Sequence, residues 1–530
     1  MADEDKDGVS EAPHGAPLEE GLTADAARDV RTVTKGGAVQ ILGQLSQRGF
    51  SFFFGLIYVQ LLGKASYGFY RQIAQILAVA GQLGLAGFNY AAMRFIARAR
   101  ARGDAGAVRG ATRVAVRSSM VASLIVVVGL LVAAGTIGRR FGDTPADQDA
   151  MADLLRLTVL YVPLFALLQI FRYCTQAYKT MVPSVIAGNI VQPFVRFALG
   201  VTALLAGFAV AGAMTTLVAS LAAGALVAGW SYRRILTDEE RRATPRFDTG
   251  AMLRFALPQG GASLLGVQSL GLGILVLGAL SSDAEAGIFA IALNLQGPAT
   301  VFLSGIVNIW APVVSDLYDR GEIARLQSLY QTITRWVATF SFPVLAALIL
   351  EPDLFVRIYA ADRGGGAAAV VAVLAIGNFF YAGTGPVGYV ISMTGHPGVN
   401  LLNSIAAVVL YVIGGIIFVP RYGALGMAGV DAAVTALVNT ARIVEAKVLV
   451  GVQPFGRTFL KPVAATLGGA AVLLAWRLVP GDSIPLEIAG IAVASVAYLG
   501  LLAAFGMDPE ERHVWERIRT RVRRPRRDKV

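Results

Sequence analysis

The stretch from Leu62 to Arg102 constrains the fold most, because it is apolar over most of its length and then ends in arginines. An apolar run of about 25 residues is long enough to cross a hydrocarbon core of about 30 Å as a helix. Gln75, Gln82 and Asn89 recur every seven residues and therefore share one helix face. Amide side chains are costly in lipid, so we expect this face to contact protein or a wet cavity.

Apolar runs of this kind occur along the whole chain. Hydrophobic residues make up 55% of the 530 residues and charged residues only 15%, which is typical of a protein that crosses the membrane many times. We predict an all-α integral membrane protein with about 14 transmembrane helices. The spans are expected at residues 37–62, 67–92, 115–137, 154–178, 182–206, 209–232, 252–280, 285–312, 329–350, 367–392, 399–419, 424–447, 460–479 and 485–506.

The region from Leu277 to Arg335 repeats the first stretch. At a separation of 219 positions, similar residues align: Gly68 with Gly287, Gln75 with Asn294, and Asn89 with Asn308. At a separation of 218, residues 102–104 (Arg-Gly-Asp) align with residues 320–322 (Arg-Gly-Glu). This order of matches indicates two structurally equivalent halves, an architecture that recurs among transporters.

The positive charges follow the loops. Most of the 46 lysines and arginines lie on one set of loops and on the two ends of the chain. The positive-inside rule then places both termini in the cytoplasm and makes anionic membrane lipids, rather than nucleic acid, the partner of these charges. Residues 1–35 are acidic and lack an apolar core, so we expect a disordered cytoplasmic tail there, and residues 507–530 form a basic cytoplasmic tail.

Two arginines are expected deep in the bilayer. Gln44 and Arg48 share one face of span one, and Arg48 lies about 18 Å along the helix from Gly36, too deep to reach either surface easily. Arg196 follows Pro193 in span five. A functional role in a polar cavity is the default for such residues, and packing against a neighbouring helix is the alternative. Arg71 belongs nearer the outer rim of span two.

Asp431 in span twelve is the one carboxylate that the sequence places clearly inside the bilayer. A site of ion or proton coupling and a hydrogen-bonded structural acid explain it equally well.

The motifs of common enzymes are missing from the chain. None of His14, His396 and His513 lies well within a span, and no Walker A loop, His-Glu-x-x-His pair or Gly-x-Ser-x-Gly elbow is present. Cys174 is the one cysteine, which excludes an intramolecular disulfide. We therefore expect no catalytic residue, no metal site and no cofactor.

The residues resemble a known family. Leu62-Gly63, residues 67–70 (Tyr-Gly-Phe-Tyr) and the stretch from Gly84 to Phe95 are similar to the first helices of Wzx-type polysaccharide flippases. These belong to the MOP superfamily, together with MATE drug exporters and lipid II flippases. Residues 319–322 (Asp-Arg-Gly-Glu) are similar to the family's repeated unit, whereas residues 271–273 (Gly-Leu-Gly) stand where many members carry a charged residue.

The resemblance implies two pseudo-symmetric six-helix lobes around a central cavity, with two additional C-terminal helices and alternating access. The lobes would comprise residues 36–232 and 251–450, joined by a cytoplasmic linker at 233–250, and the additional helices residues 451–506. The implied cargo is a polyprenyl-diphosphate-linked oligosaccharide, moved from the cytoplasmic to the outer leaflet of the bacterial inner membrane. A polysaccharide polymerase is an implied partner.

The residues themselves favour this cargo over a cationic drug. A diphosphate bearing sugars needs a cationic anchor and neutral hydrogen-bonding groups, and spans one and two lack the acid that a drug cation would require. An ion-coupled multidrug exporter, a membrane glycosyltransferase or polymerase, and a lipid-scrambling protein are the alternatives. The candidate substrate-binding residues are Arg48, Arg71, Arg196, Gln44, Gln75, Gln82, Asn89, Asn294 and Asn308.

Overall fold

The structure is a computed structural model that describes residues 24–178, 180–264, 271–481 and 483–506. All regular elements in these residues are helices. The first part of the chain forms α1 Ala24–Leu62, α2 Lys64–Leu85, α3 Phe88–Ala101, α4 Ala105–Phe141, α5 Pro145–Leu157, α6 Tyr161–Gln176, α7 Val182–Val185, a π-helical segment Ile186–Val191, α8 Gln192–Leu205, α9 Ala209–Ile235 and α10 Asp238–Arg242.

The second part of the described chain forms ten numbered helices. They are α11 Thr249–Leu264, α12 Leu272–Leu280, α13 Asp283–Asp319, α14 Ile323–Leu350, α15 Pro352–Ala360, α16 Ala367–Thr384, α17 Val387–Met393, α18 Pro397–Leu449, α19 Leu460–Trp476 and α20 Ile484–Ala504, with 3₁₀ turns at Ala361–Gly364 and Arg457–Phe459 forming the remaining short elements.

The helices confirm a membrane protein, although they do not confirm the count of fourteen spans. Among the described residues, nine helices are long and apolar enough to cross a membrane, or ten when α5 and α6, bent by 44°, count as one span. α18 contains two helical halves, because the backbone at Gly423 is not helical (φ 53°). The Glu285 carboxylate accepts a hydrogen bond of 2.5 Å from the Ala424 N–H, which begins the second half.

The two aligned turns have the same backbone conformation in both halves. Gly103 and Gly321 have φ of 67° and 70°, the left-handed region that favours glycine. Each ends one long helix and is followed directly by the next, α4 or α14. Asp104 starts α4 by accepting a hydrogen bond of 2.9 Å from the Ala107 N–H. The repeat seen in the sequence therefore corresponds to equivalent local structure.

The long helices define two faces of the molecule. We call the face with the turns at residues 102–104, 236–248 and 320–322 the basic face, and the face with the turns at residues 63, 142–144 and 281–282 the opposite face. At the opposite face, α2 crosses α13 where Gly68 meets Gly287, the pair that the repeat aligned. A Cβ on Gly68 would overlap the carbonyl oxygen of Asp283, and a Cβ on Gly287 would overlap the carbonyl oxygen of Lys64. The two halves therefore touch backbone to backbone there.

The predicted tail at residues 1–35 ends earlier than expected. α1 begins at Ala24, so residues 24–35 are helical. The sequence Ala24-Asp25-Ala26-Ala27 is rich in the strongest helix former, and no proline or glycine separates it from Gly36. Residues 1–23 and the predicted tail at residues 507–530 lie outside the described residues.

Candidate functional site

A cavity of about 580 Å³ lies between the two halves, in the part of the helices nearer the basic face. Its walls come from α2, α3, α6, α11 and the segment from α17 to α18. The polar side chains that line it are Gln82, Asn89, Tyr90, Gln169, Tyr173, Ser263, Tyr389, Asn400 and Ser404. Amides and hydroxyls both donate and accept hydrogen bonds, so this wall suits a ligand with many hydroxyl groups.

A second cavity of about 520 Å³ adjoins the first and shares Tyr389 and Asn400 with it. Arg442 of α18 supplies a cation to its wall. Gly388 lies beside both polar groups, because a Cβ built there would be 3.3 Å from Asn400 Oδ1 and 3.7 Å from the guanidinium carbon of Arg442. Arg442 Nε and Asn400 Oδ1 are buried and have no hydrogen-bond partner among the described residues. Unpaired polar atoms beside a cavity mark it as a place for a polar ligand.

Arg442 is a residue that the sequence analysis missed as a site residue. Arg442 lies within the predicted span at residues 424–447, but its side chain was not predicted to face a cavity, and the structure continues α18 to Leu449. The helix ends only where Gly451 adopts φ of 82°, two turns after Arg442. The sequence contains a signal that Arg442 lies inside a helix, because no glycine or proline, which could end the helix, lies between Arg442 and Gly451.

Arg48 joins the two halves. Its Nη1 lies 3.1 Å from Thr300 Oγ1 and 3.3 Å from the Gly297 carbonyl oxygen, and both acceptors belong to α13 of the second half. The side chain is half-buried. Arg48 thus points at protein across the interface between the halves rather than at the membrane.

The other amides of the predicted site divide into two groups. Gln82 and Asn89 line the 580 Å³ cavity. Gln75 lies nearer the opposite face and packs against Gly271. A Cβ on Gly271 would overlap the side-chain amide of Gln75. Asn294 donates a hydrogen bond of 2.9 Å to the Tyr67 hydroxyl across the halves.

The three remaining predicted residues are Gln44, Arg71 and Asn308, and neither Gln44 nor Arg71 is among the residues that line the two cavities. Gln44 is half-buried on α1, one turn from Arg48. Arg71 is half-buried beside Tyr67 and Tyr359. Asn308 lies on α13, and its side chain falls outside the part of the structure that is described.

Arg196 lies inside the first half, among aromatic rings. Its Nη2 donates a hydrogen bond to the Tyr70 hydroxyl, and its guanidinium carbon lies 4.4 Å from the centre of the Phe54 ring. It is not one of the residues that line the two cavities. This arrangement corresponds to the packing alternative for a deep arginine, with cation–π contact in place of an acid.

Arg172 holds a polar network that reaches the cavity. Its Nη2 donates to Asn189 Oδ1 at 2.8 Å, and Asn189 Nδ2 donates to Gln47 Oε1 at 2.9 Å. Its Nη1 donates to Gln169 Oε1, a cavity residue, at 3.3 Å. Asn189 lies on the π-helical segment, and Gly188 beside it leaves space for the guanidinium. π-helical turns of this kind are frequent at functional sites.

Asp431 lies on the second half of α18 and forms a hydrogen bond with Tyr411 on the first half of the same helix. It is not among the residues that line the two cavities. In the described residues, no group of three or more histidine, cysteine, aspartate or glutamate side chains is arranged to hold a metal ion.

The opposite face is closed by a buried polar contact between the halves. Gln72 Nε2 donates to Asp283 Oδ1 at 2.6 Å, and the Asp283 N–H donates to Asp143 Oδ2 at 2.9 Å. Gln60 Nε2 donates a hydrogen bond of 3.2 Å to the Tyr359 carbonyl oxygen, and Lys64 Nζ donates one of 3.2 Å to the Gly365 carbonyl oxygen. The cavities are therefore separated from the opposite face.

Known proteins share this architecture. The lipid II flippase MurJ in an inward closed conformation aligns with a TM-score of 0.70 at 12% identity, covering 88% of this chain and 98% of that chain. A multidrug resistance MATE family transporter in its inward-facing conformation aligns with a TM-score of 0.64 at 15% identity, covering 78% and 98%. A MOP superfamily transporter from Pyrococcus furiosus, noted for a binding pocket of reverse polarity, aligns with a TM-score of 0.55 at 18% identity, covering 80% of this chain and 96% of that chain.

These similarities establish the fold, and the sequence comparison establishes the family. No curated protein sequence matches the chain. The sequence profile of the family described as "Polysaccharide biosynthesis protein" matches residues 33–318, more than half of the chain. The resemblance inferred from the motifs is thereby confirmed, as is the two-lobed fold around a central cavity. The chain belongs to the polysaccharide biosynthesis protein family and has the fold of the MOP superfamily transporters.

Proposed function

We propose that the protein is a flippase that moves a polyprenyl-diphosphate-linked oligosaccharide from the cytoplasmic to the outer leaflet by alternating access. The observation that carries this proposal is the polar space between the two halves, with Arg48 at their interface and Arg442 in its wall. Guanidinium groups match phosphate oxygens bidentately, and the surrounding amides and hydroxyls match the hydroxyls of sugars. Among the described residues that line the two cavities, none carries a carboxylate.

An apolar groove supports a lipid-linked rather than a free sugar. It has a volume of about 410 Å³ and lies between α14 and the last two helices, α19 and α20. Phe340 and Leu499 in its wall are 57% and 61% exposed in the isolated chain. An isoprenoid chain can cover such a surface within the membrane.

The proposal includes an orientation and partners. The basic face is the cytoplasmic side of the bacterial inner membrane, since its arginines follow the positive-inside rule. The cavity then receives cargo from the cytoplasmic leaflet while the contacts of Gly68 and Asp283 close the outer side. Asp431 is the proposed site of ion or proton coupling, and a polysaccharide polymerase is the proposed recipient of the cargo.

The test replaces Arg48 in cells that depend on this protein for their surface glycan. Arg48→Ala should abolish export while the lipid-linked precursor accumulates inside, because the charge that faces the second half is lost. Arg48→Lys should restore export only in part, since lysine cannot form the bidentate contact. Export is measured as surface glycan at matched membrane abundance. Normal export by Arg48→Ala would exclude this residue from the mechanism, and full rescue by lysine would reduce its role to charge.

A cationic multidrug exporter is the second candidate, and the aromatic wall favours it. Tyr90, Tyr173 and Tyr389 line the 580 Å³ cavity, and tyrosine rings can bind an organic cation. Proteoliposomes distinguish the two candidates. Transfer of a fluorescent polyprenyl-diphosphate oligosaccharide without transport of ethidium supports the flippase, and the converse result supports the exporter.

A further inference from the structure

A third cavity lies at the basic face, apart from the space between the halves. It has a volume of about 910 Å³ and shares no lining residue with the two cavities described above. α4, the end of α9 and α10 form its walls. We call it the arginine pocket, because six arginines line it: Arg109, Arg113, Arg117, Arg233, Arg234 and Arg241.

Three of these arginines form a stripe of like charge. Arg109, Arg113 and Arg117 are spaced four residues apart on α4 and therefore share one helix face. Like charges at this spacing destabilise a helix unless something compensates them. Arg109 Nη1 donates to the Ala243 carbonyl oxygen at 2.8 Å, a neutral acceptor that leaves the charge in place.

Among the described residues, no carboxylate pairs with this stripe. Glu240 is the one carboxylate in the pocket wall, and Arg100 pairs with it at 3.4 Å from outside the pocket. Tyr178 also donates to Glu240 at 2.9 Å. Within the described ranges, Arg113 and Arg117 form no ion pair. The pocket is thus a concave site with an excess of positive charge.

The pocket opens onto an apolar surface. Trp230 in its wall is 54% exposed, and the Arg234 guanidinium carbon lies 3.8 Å from the centre of its ring. One turn further from the basic face, Leu226 on α9 is 73% exposed, and Val121 on α4, one turn after Arg117, is 60% exposed. The charged pocket therefore continues into a lipid-facing surface, which fits an amphipathic anion better than a soluble one.

We propose that the arginine pocket binds the headgroup of an anionic phospholipid from the leaflet at the basic face. The phosphates accept hydrogen bonds from the α4 stripe and from the arginines at the end of α9, since guanidinium groups bind phosphate bidentately. The acyl chains lie along Leu226 and Val121. Trp230 stands at the headgroup level, where tryptophan is enriched in membrane proteins. Arg241 also pairs with Asp238 at 3.4 Å, and the five other guanidinium groups suit a headgroup with two phosphates, such as that of cardiolipin.

The first experiment measures retention of cardiolipin by the purified full-length protein in detergent, using native mass spectrometry. The wild type should bind cardiolipin in preference to phosphatidylcholine. Arg113→Gln combined with Arg117→Gln should weaken cardiolipin binding by about 30-fold, because each cation near a membrane surface contributes about 1 kcal/mol.

The matched control, Arg139→Gln combined with Arg140→Gln, changes two exposed arginines at the other end of the same helix and should bind cardiolipin as the wild type does. Equal binding by both double variants would overturn the proposal.

The second experiment keeps the arginines in place and tests the position of the lipid. Cardiolipin with brominated acyl chains should quench the tryptophan fluorescence of the wild type, and Trp230→Phe should lose the quenching component that saturates with cardiolipin. Quenching that is unchanged in Trp230→Phe would place the lipid elsewhere. Inorganic pyrophosphate at the same concentration should leave bound cardiolipin in place. Its displacement by pyrophosphate would show a site for a soluble polyanion instead.

Discussion

Arg442 is a cation in the wall of the 520 Å³ cavity, where we propose that the substrate binds, and its buried Nε has no partner in the described residues. Arg442→Gln should leave the protein in the membrane and reduce transport of the lipid-linked oligosaccharide by about 30-fold. The reason is that one charged hydrogen bond contributes about 2 kcal/mol, and each 1.4 kcal/mol corresponds to a factor of ten. Transfer of the fluorescent cargo in proteoliposomes measures this change.

A matched control for Arg442 lies on the same helix. Arg421→Gln replaces an exposed arginine near the Gly423 kink, outside both cavities, and should transport at the rate of the wild type. Arg442→Lys keeps the charge and should retain intermediate activity. If Arg442→Gln transports as fast as Arg421→Gln, the cavity beside Arg442 does not bind the diphosphate.

At this scale, the sequence grouped Arg48 and Arg196 as deep arginines but did not predict their partners, and neither side chain is among the residues that line the two cavities. Arg48 and Arg196 have similar polar neighbours along the chain, yet Arg48 contacts α13 and Arg196 contacts Phe54 and Tyr70 of its own half. Those partners lie between 126 and 252 positions away from the arginines in the chain, and helix packing brings them together. Helical spacing defines the face of one helix, and it does not define which neighbour covers that face.

The crossing of α2 and α13 is the element that closes the opposite face. Gly68→Ala should weaken this closure, because the added Cβ meets the Asp283 carbonyl oxygen and the Gly287 nitrogen. Overpacking of this kind costs about 1–3 kcal/mol in the conformation that contains the contact. The distance between spin labels at Ala65→Cys and Gly365→Cys, in a Cys174→Ser background, should therefore become longer and more broadly distributed than in the parent.

The control for this crossing is a glycine in open space. No atom lies within 4 Å of a Cβ built on Gly129 of α4, so Gly129→Ala should leave the label distance unchanged. A distance for Gly68→Ala equal to that of Gly129→Ala would show that the crossing does not hold the opposite face closed.

The sequence predicted most elements, since long apolar runs with charged or glycine-rich breaks specify spans by length alone. The breaks at Gly63, Gly103 and Gly321 stand where the helices end. The π-helical segment at Ile186–Val191 was not predicted, because it depends on Arg172 filling the space beside Gly188. The predicted span at residues 424–447 contains Arg442, but the position of Arg442 in a cavity wall depends on how α17 and α18 pack, which helical spacing alone does not define.

For the molecule as a whole, the repeat predicted two equivalent halves but not how they meet. Gly68 and Gly287 were aligned as equivalent positions, and the structure places them in contact with each other's helices. Gln75 and Asn294 were aligned in the same way, yet Gln75 packs on Gly271 while Asn294 bonds to Tyr67. Equivalent positions therefore have different partners. The repeat defines which positions are equivalent, whereas the angle between the two halves determines which residues those positions contact.

Closure of the opposite face should also depend on pH. Asp283 begins α13, before the predicted span at residues 285–312, and burial raises its pKa to about 7, with the charges of Asp143 and Asp147 adding to the effect of burial. A carboxyl with a raised pKa is neutral below that value, so the closed form should lose stability as the pH rises through about 7 and Asp283 ionises among buried groups. The label distance from residue 65 to residue 365 should therefore lengthen as the pH rises from about 4, near the ordinary pKa of an aspartate, to about 7, and should change little above that.

Two variants separate Asp283 from other titrating groups. Asp283→Asn cannot ionise, so its label distance should stay short across the whole pH range. Asp143→Asn removes a neighbouring negative charge and should move the midpoint of the wild-type transition to lower pH, because ionisation of Asp283 becomes less costly. Asp153→Asn alters an exposed carboxylate that pairs with Arg156 and should leave the midpoint in place. A transition that persists in Asp283→Asn would assign the pH dependence to another group, and closure would then rest on the glycine crossing alone.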